Sequence, residues 1–176
     1  MGSPARAAVL LINLGTPDSA AVPDVRRFLS EMLSDPYLVD LPKFLWWPIL
    51  NGVILNIRPG KSAKKYAAIW TPQGSPLKTH MARTAALLSE SLKCANRSGP
   101  PLTADFAMRY GQPSIPAVLE RLKNAGHSSI LLFPLYPHYS PATTATALDA
   151  AFSWAERTSR PPELRTVESY GEHPGY

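Results

Sequence analysis

The segment Leu131–Thr144 reads LLFPLYPHYSPATT, and it decides how the fold of this chain is interpreted. An apolar run passes directly into a loop with prolines, tyrosines, a histidine, a serine and paired threonines. This pattern is typical of a buried β-strand that ends in a ligand-facing loop, because open α/β sheets bind ligands at the carboxyl ends of their strands. The segment therefore predicts a strand over Ser129–Leu135 and a candidate site immediately after it.

Apolar runs of strand length alternate with helical periodicity along the rest of the chain. The other strands are predicted at Ala7–Leu14, Thr103–Arg109 and Leu164–Tyr170. Helices are predicted from Val22 to Asp35 and over Lys61–Trp70, Leu77–Cys94, Ile115–Ala125 and Thr143–Arg157, with a loop at Asn96–Pro101. Strands that alternate with helices favour an α/β fold, here a doubly wound and mainly parallel four-stranded sheet flanked by helices.

Composition limits the class of protein. The 176 residues are 45% hydrophobic and 18% charged, as in an ordinary globular chain. The length predicts one domain, or one and a fraction, over residues 7–176. Residues 1–6 are interpreted as a tail or tag remnant. The net charge of +5 suits an anionic partner, but no basic helix interleaved with aromatic residues predicts nucleic-acid binding.

The cysteine count and the N-terminus point to a compartment. Cys94 is the only cysteine, which excludes an internal disulfide and a cysteine-based zinc site within the chain and suits a reducing environment. The first seven residues, MGSPARA, lack the apolar core of a secretory signal. The expected location is therefore the cytoplasm, with peripheral contact at the inner membrane as an open alternative.

The segment Leu41–Ile57, LPKFLWWPILNGVILNI, is called here the lip segment. It is too short and too interrupted by Pro48 and Gly52 to span a membrane. Two interpretations stay open: a buried core helix, or an exposed apolar surface for a membrane interface or a flat hydrophobic ligand. Basic residues flank the segment and suit acidic headgroups or substrate carboxylates; they are Lys43, Arg58, Lys61, Lys64 and Lys65.

Candidate binding residues lie after predicted strands and after the lip segment. An arginine offers a planar fork for a carboxylate, and tyrosine and serine hydroxyls add neutral donors. The candidates are Leu14, Arg58, Tyr66, Ser75, Arg109, Tyr110, Tyr136 and Ser140. For most of them an ordinary structural role stays open. Thr143 and Thr144 are expected to cap the following helix. No residue is predicted as a metal ligand, and His138 is expected to be exposed or to lie behind the site.

Three segments together resemble one family, the ferrochelatases, which insert ferrous iron into a porphyrin in haem biosynthesis. They are Val9–Asp18 (VLLINLGTPD), Tyr66–Pro76 (YAAIWTPQGSP) and Leu131–Thr144. The resemblance is to bacterial members, and it implies a chelatase-like fold in which this chain is one of two similar lobes. It also implies that the eight candidates contact the porphyrin: Leu14 along its face, and Arg58, Tyr66 and Ser75 on its propionate side.

The same resemblance implies what this chain lacks. The family's catalytic histidine and glutamate are expected beyond residue 176, so no catalytic residue is predicted here, and the isolated chain is expected to be inactive. No cofactor is predicted, because Fe²⁺ is a substrate of this lyase. The implied partners are porphyrin, Fe²⁺ and a C-terminal lobe. Two alternatives stay open: a cobalt or nickel tetrapyrrole chelatase, and a non-catalytic porphyrin-binding or membrane-docking module.

Overall fold

A computed structural model describes residues 6–95 and 102–176. The loop expected at Asn96–Pro101 lies outside the described residues, and so does the tail except for Arg6. The chain divides into two compact units. The sheet unit comprises Met1–Leu14, His80–Arg109 and Pro113–Tyr176. The helical unit comprises Gly15–Thr79 and Tyr110–Gln112.

The predicted sheet is confirmed. Its strands are β1 (Arg6–Thr16), β2 (Leu102–Gly111), β3 (His127–Pro134) and β4 (Glu163–Thr166), in the order β2-β1-β3-β4. The central strand β1 pairs in parallel with β3, and β3 pairs in parallel with β4. Each parallel pair needs a crossover, and the helices between the strands supply it. This arrangement is the predicted α/β fold with a parallel sheet.

The last strand is shorter than the sequence predicts. It ends at Thr166, although the Val167 N–H still donates to the Leu132 carbonyl at 3.0 Å. Beyond it, the N–H groups of Tyr170 and Gly171 both donate to the carbonyl of Pro137, at 3.0 and 2.8 Å. These bonds turn the chain away from the ladder, so the β-forming residues that follow Val167 belong to a loop.

Both faces of β1 are covered, which explains its continuous apolar sequence. Leu10 and Ile12 pack into a core with residues of α5 (Ile115–Asn124) and α6 (Thr146–Arg157). Successive side chains of a strand point to opposite faces. Asn13 accordingly points the other way and donates to the sulfur of Met81 at 3.7 Å, in α4 (Pro76–Ala95). Helix α5 ends as predicted before Gly126, whose φ of +84° suits a residue without a side chain.

The helical unit contains a longer helical run than predicted. The first helix of the unit is α1 (Val22–Leu33). After residues 34–42, the continuous run consists of α2 (Lys43–Ile49), a π-helical turn π1 (Leu50–Ile54) and α3 (Leu55–Ile69). The expected start at Lys61 is wrong, because the run passes through Pro59. A proline has no N–H for the carbonyl four residues earlier. Here that carbonyl, on Leu55, accepts a bond from the Arg26 guanidinium at 2.9 Å instead.

Asparagine side chains add hydrogen bonds to backbone carbonyls around π1. Asn51 Nδ2 donates to the Trp47 carbonyl at 3.0 Å. Asn56 Nδ2 donates to the carbonyls of Asn51 and Gly52, at 3.1 and 2.8 Å. These side-chain bonds add acceptor contacts to backbone carbonyls at the junction of α2, π1 and α3, where the helical register changes.

Most of the lip segment is exposed, and only Leu50 and Leu55 of it are buried, so the core-helix interpretation is wrong for the segment as a whole. None of the residues of α2 is buried. Phe44 is 75% exposed and Trp47 is 67% exposed, and the exposed apolar side chains continue along the run with Leu41, Leu45, Ile49, Val53 and Ile57. Within residues 6–95 and 102–176, no helix is long and apolar enough to cross a membrane. The exposed interpretation of the lip segment therefore stands.

Candidate functional site

In the sheet unit, Arg109 lies near the carboxyl end of β2, where the sequence places it. Its Nε donates to Thr146 Oγ1 at 2.6 Å. Thr146 is fully buried and is the first residue of α6. Arg109, which is half-buried, is thus tied to the segment that follows β3. The predicted sites after β2 and β3 lie at the same edge of the sheet, as parallel strands require.

The loop after β3 carries Tyr136 and Ser140. The Tyr136 hydroxyl is buried and has no hydrogen-bond partner in the described part of the chain. Burial raises the pKa of Tyr136 to about 12, so the phenol keeps its proton at neutral pH. Ser140 is half-buried, and its carbonyl accepts the N–H groups of Thr143 and Ala145, both at 3.2 Å. The site loop therefore holds a protonated phenol beside a well-anchored backbone.

The expected helix cap at Thr143 and Thr144 is wrong. A second π-helical turn, π2 (Pro141–Ala145), precedes α6, and its N-cap residue Ser140 makes no side-chain cap bond. Thr143 Oγ1 donates to the Ser140 carbonyl at 3.3 Å. Thr144 is fully buried, and its hydroxyl has no partner among the described residues. Since the helical run begins at Pro141, both threonines lie inside it, where a side-chain hydroxyl cannot cap.

His138 is exposed, as expected. Its ring lies on the backbone of Gly171, where an added side chain would clash with it, and against the edge of Tyr176 with ring centroids 6.5 Å apart. In the described ranges, no group of three or more histidine, cysteine, aspartate or glutamate side chains is arranged to hold a metal ion. His138 is thus a surface residue packed on the segment that follows β4.

In the helical unit, Tyr66 and Arg58 both lie on α3. The Tyr66 ring is half-buried between Phe28 and Trp70, with centroids 6.3 and 6.4 Å apart and the rings nearly perpendicular. Burial raises the pKa of Tyr66, and the nearby positive charge of Arg58 opposes this with a smaller effect. Arg58 itself is exposed. The structure therefore brings these two predicted residues together.

Ser75 lies in the turn that leads into α4. Thr71 and Gly74 exchange backbone hydrogen bonds at 3.0 and 2.9 Å, which closes the turn. The Ser75 carbonyl accepts both the N–H and the hydroxyl of Thr79, at 3.0 and 3.1 Å. Ser75 is only 6% exposed. Its backbone is anchored by these bonds, and its predicted contact with a ligand stays a prediction.

Tyr110 requires a correction. The sequence places it beside Arg109 at the ligand edge, but neighbours on a strand point to opposite faces. Tyr110 is fully buried in the helical unit, and its hydroxyl donates to Asp35 Oδ2 at 2.7 Å. Asp35 Oδ1 accepts the Tyr37 N–H at 2.8 Å. With no exposed surface, Tyr110 cannot contact a ligand in this structure, and it stabilises the turn after α1 instead.

The loop after β1 is set by a close backbone approach. Gly15 has φ of +115°, and a β-carbon there would lie 1.8 Å from the Tyr110 carbonyl oxygen. Only glycine fits this combination of dihedral angle and contact. The preceding residue, Leu14, is half-buried, and its N–H donates to Asn13 Oδ1 at 2.8 Å. Its predicted contact with a porphyrin face stays a prediction.

Sequence reasoning missed two residues that organise these sites. Thr146 anchors Arg109, and Asp35 anchors Tyr110. Asp35 was visible only as the end of α1, and Thr146 only as one of several threonines in a helical segment. Neither lies within four residues of its partner, so no local pattern could have indicated these bonds.

A parallel sheet with polar and aromatic groups beyond its strands defines an α/β protein of the class that binds ligands at that edge. Comparison with known proteins narrows the class. The ferrochelatase family profile matches residues 6–176. A ferrochelatase from Dechloromonas aromatica (strain RCB) is 52% identical over 175 residues, and one from Methylibium petroleiphilum is 51% identical over the same length. This chain belongs to the ferrochelatase family.

The matches also define the extent of the similarity. Each alignment covers 99% of this chain and 47% of the relative, so the chain spans about half the length of the curated relatives it matches. A third relative, from Aromatoleum aromaticum, is 50% identical over 175 residues, again 99% of this chain and 47% of the relative. These relatives are all named ferrochelatase, and they do not support the cobalt, nickel or binding-module alternatives.

Proposed function

We propose that this chain supplies the N-terminal half of an enzyme that inserts Fe²⁺ into a porphyrin during haem biosynthesis. The observation that carries the proposal is the family match over residues 6–176, together with 52% sequence identity to a relative named ferrochelatase. In this reaction Fe²⁺ replaces two pyrrole N–H protons, so a complete enzyme must bind the macrocycle, accept protons and deliver the metal. This chain contributes binding and orientation.

The proton chemistry is assigned to the remainder of the protein. Of the histidines in this chain, His127 has both ring nitrogens engaged, with Thr103 Oγ1 and the Leu122 carbonyl, each at 3.0 Å. His138 is exposed on its own loop. A general base must reach the proton it removes, and neither of these two imidazoles is placed for that task; His80 and His173 are exposed. The catalytic histidine and glutamate are expected in a C-terminal lobe.

Substrate contacts are proposed in each unit separately. In the helical unit, exposed Arg58 beside Tyr66 offers a cation and a phenol to a propionate. In the sheet unit, Arg109 offers a second cation, and Tyr136 offers a hydroxyl that stays protonated. A buried hydroxyl without a partner is costly, and a ligand oxygen would relieve that cost. Leu14, Ser75 and Ser140 complete the proposed contacts.

Peripheral membrane contact is proposed for the lip segment. Phe44 and Trp47 are the most exposed of its aromatic side chains, and the adjoining α3 carries Lys61, Lys64 and Lys65, all exposed. Aromatic side chains favour the membrane interface, and lysines favour anionic headgroups. The proposed location is the cytoplasmic side of the inner membrane, close to where an apolar substrate partitions.

A vesicle experiment tests this contact. The double variant Phe44→Ser/Trp47→Ser should lose sedimentation with vesicles of phosphatidylglycerol and phosphatidylcholine, because both side chains are exposed and contribute little to folding. The matched control Leu87→Ser changes an exposed apolar residue of α4 outside the lip segment, and it should sediment as the parent does. Equal sedimentation of all three proteins would exclude the lip segment as the contact.

The proposed activity is tested by completing the chain. A chimera would join residues 1–176 to the part of the Dechloromonas aromatica ferrochelatase that lies beyond the aligned region. Incubation with protoporphyrin and Fe²⁺ under anaerobic conditions should convert the free-base absorption spectrum to that of haem. The 176 residues alone should bind porphyrin without converting it. A folded chimera without iron insertion, or turnover by this chain alone, would contradict the proposal.

A further inference from the structure

The bond between Arg109 and Thr146 joins two distant parts of the sheet unit. Arg109 Nε donates to Thr146 Oγ1 at 2.6 Å, across 37 positions of sequence. Thr146 is fully buried, so its hydroxyl cannot reach a ligand in this structure. Arg109 is only partly buried. The threonine cannot touch a ligand itself, and its bond to Arg109 gives it a way to influence one through the arginine.

A bond at Nε has a specific consequence for an arginine. The guanidinium is planar, so fixing Nε fixes the direction in which the whole fork faces. A free arginine side chain has many rotamers and loses that freedom when it pairs with a carboxylate. An arginine that is already oriented loses less, and it binds more tightly for that reason.

The π2 turn contributes to the placement of Thr146. The Ala145 N–H donates to the Ser140 carbonyl five residues earlier, at 3.2 Å. A π-turn contains one residue more than an α-turn, and this shifts the register of the helix that follows. With that shift, the first residue of α6 is Thr146, and its hydroxyl meets Arg109.

We infer that Thr146 is a positioning residue that orients the Arg109 guanidinium toward a carboxylate of the tetrapyrrole substrate. The inference rests on the proposed function for its ligand, and it names a residue that acts on the substrate through another. Thr146 has no catalytic role, and its loss should weaken substrate binding and leave the chemical step nearly unchanged.

Kinetics in the chimera test the effect on substrate binding. Thr146→Val keeps the side-chain shape and removes the hydroxyl; it should raise KM for porphyrin by about 2- to 10-fold, the range of one lost hydrogen bond, with kcat almost unchanged. Thr146→Ser keeps the hydroxyl and should restore the parent KM. Adding Thr146→Val to Arg109→Lys, which has no Nε, should cause no further rise.

A neighbouring threonine provides the matched control. Thr144 is also fully buried, but its hydroxyl has no partner in the described part of the chain. Thr144→Val makes the same chemical change two residues earlier, and it should leave KM unchanged. If Thr144→Val and Thr146→Val raised KM equally, or if Thr146→Ser behaved like Thr146→Val, the effect would be general packing and the inference would be overturned.

A second measurement separates this inference from the proposed function. In the ¹⁵N NMR spectrum of the 176-residue chain, the Arg109 Nε–H should exchange slowly with solvent in the parent, in Thr146→Ser and in Thr144→Val. It should exchange fast in Thr146→Val. Fast exchange in the parent would overturn the positioning role whatever the enzyme does. Slow exchange combined with an inactive chimera would support the bond between Arg109 and Thr146 but contradict the proposal that Arg109 faces a tetrapyrrole carboxylate.

Discussion

Tyr110→Phe tests whether this tyrosine is structural or contacts substrate. The change removes the hydroxyl that donates to Asp35 at 2.7 Å and keeps the ring in its buried position. A hydrogen bond to a charged acceptor contributes roughly 1.5–3 kcal/mol, because its loss leaves a buried carboxylate oxygen without that donor. In a chain of this size each kcal/mol lowers the melting temperature by about 2–4 °C, so the expected decrease is about 3–12 °C.

The assay is thermal unfolding of the 176-residue chain, followed by circular dichroism and supported by urea unfolding. Tyr139→Phe is the matched control, because Tyr139 is 53% exposed in the loop after β3. It should change the melting temperature by little, as surface substitutions usually do. In the chimera, Tyr110→Phe should leave KM for porphyrin unchanged at a temperature where the variant is folded.

One pattern of results would refute the reasoning. If Tyr110→Phe unfolded at the same temperature as the parent but raised KM for porphyrin, the hydroxyl would contact the substrate. The correction made from its burial would then be wrong, and the original prediction from the sequence would be right. Reduced stability with normal KM supports the structural role.

Three further predictions concern the sites. In the chimera, Arg58→Ala should raise KM for porphyrin about 2- to 5-fold with kcat little changed, since an exposed ion pair contributes at most about 1 kcal/mol. The control His138→Gln should leave both KM and kcat unchanged. Loss of activity in His138→Gln with no effect of Arg58→Ala would favour a metal-ligand role for the histidine. The folded state raises the pKa of Tyr136 to about 12 from 10, so its contribution to stability should be full below pH 10 and lost as pH rises toward 12. Urea unfolding at pH 9 and 11 should therefore show a larger loss for the parent than for Tyr136→Phe, and an equal loss would contradict the pKa shift. Gly15→Ala should unfold at markedly lower temperature or accumulate insoluble, because its β-carbon would meet the Tyr110 carbonyl; a variant as stable as the parent would exclude this backbone contact.

Short-range patterns in the sequence were enough to predict most of the sheet unit. The apolar runs at β1 and β3 and the turn at Gly126 depend on neighbours within a few positions, and strand periodicity and glycine conformation follow directly from them. The position of Arg109 at the end of β2 was predicted for the same reason. Parallel pairing then places the carboxyl ends of β2 and β3 at the same edge of the sheet, and this does not depend on how the helices pack.

The lip segment shows where local pattern is insufficient. Its apolar composition suits a core helix as well as an exposed surface, because hydrophobicity records the preference of a side chain and not whether any other element covers it. Only the tertiary structure shows Phe44 and Trp47 exposed. Similarly, the sequence predicts a helix only from Lys61, and the observed helix also includes Pro59, because Arg26 donates to the carbonyl that the proline leaves without a donor.

The sequence by itself determined the family and the parallel α/β arrangement, since these follow from motifs and from periodicity along the chain, and it predicted the candidate binding residues. Only the tertiary structure decided which candidates share an environment. Tyr110 is buried on Asp35, 75 positions away, and Arg109 is held by Thr146, 37 positions away. Hydrogen bonds over such distances depend on how the whole chain packs, because the partner is chosen by proximity in space, and no local pattern records it.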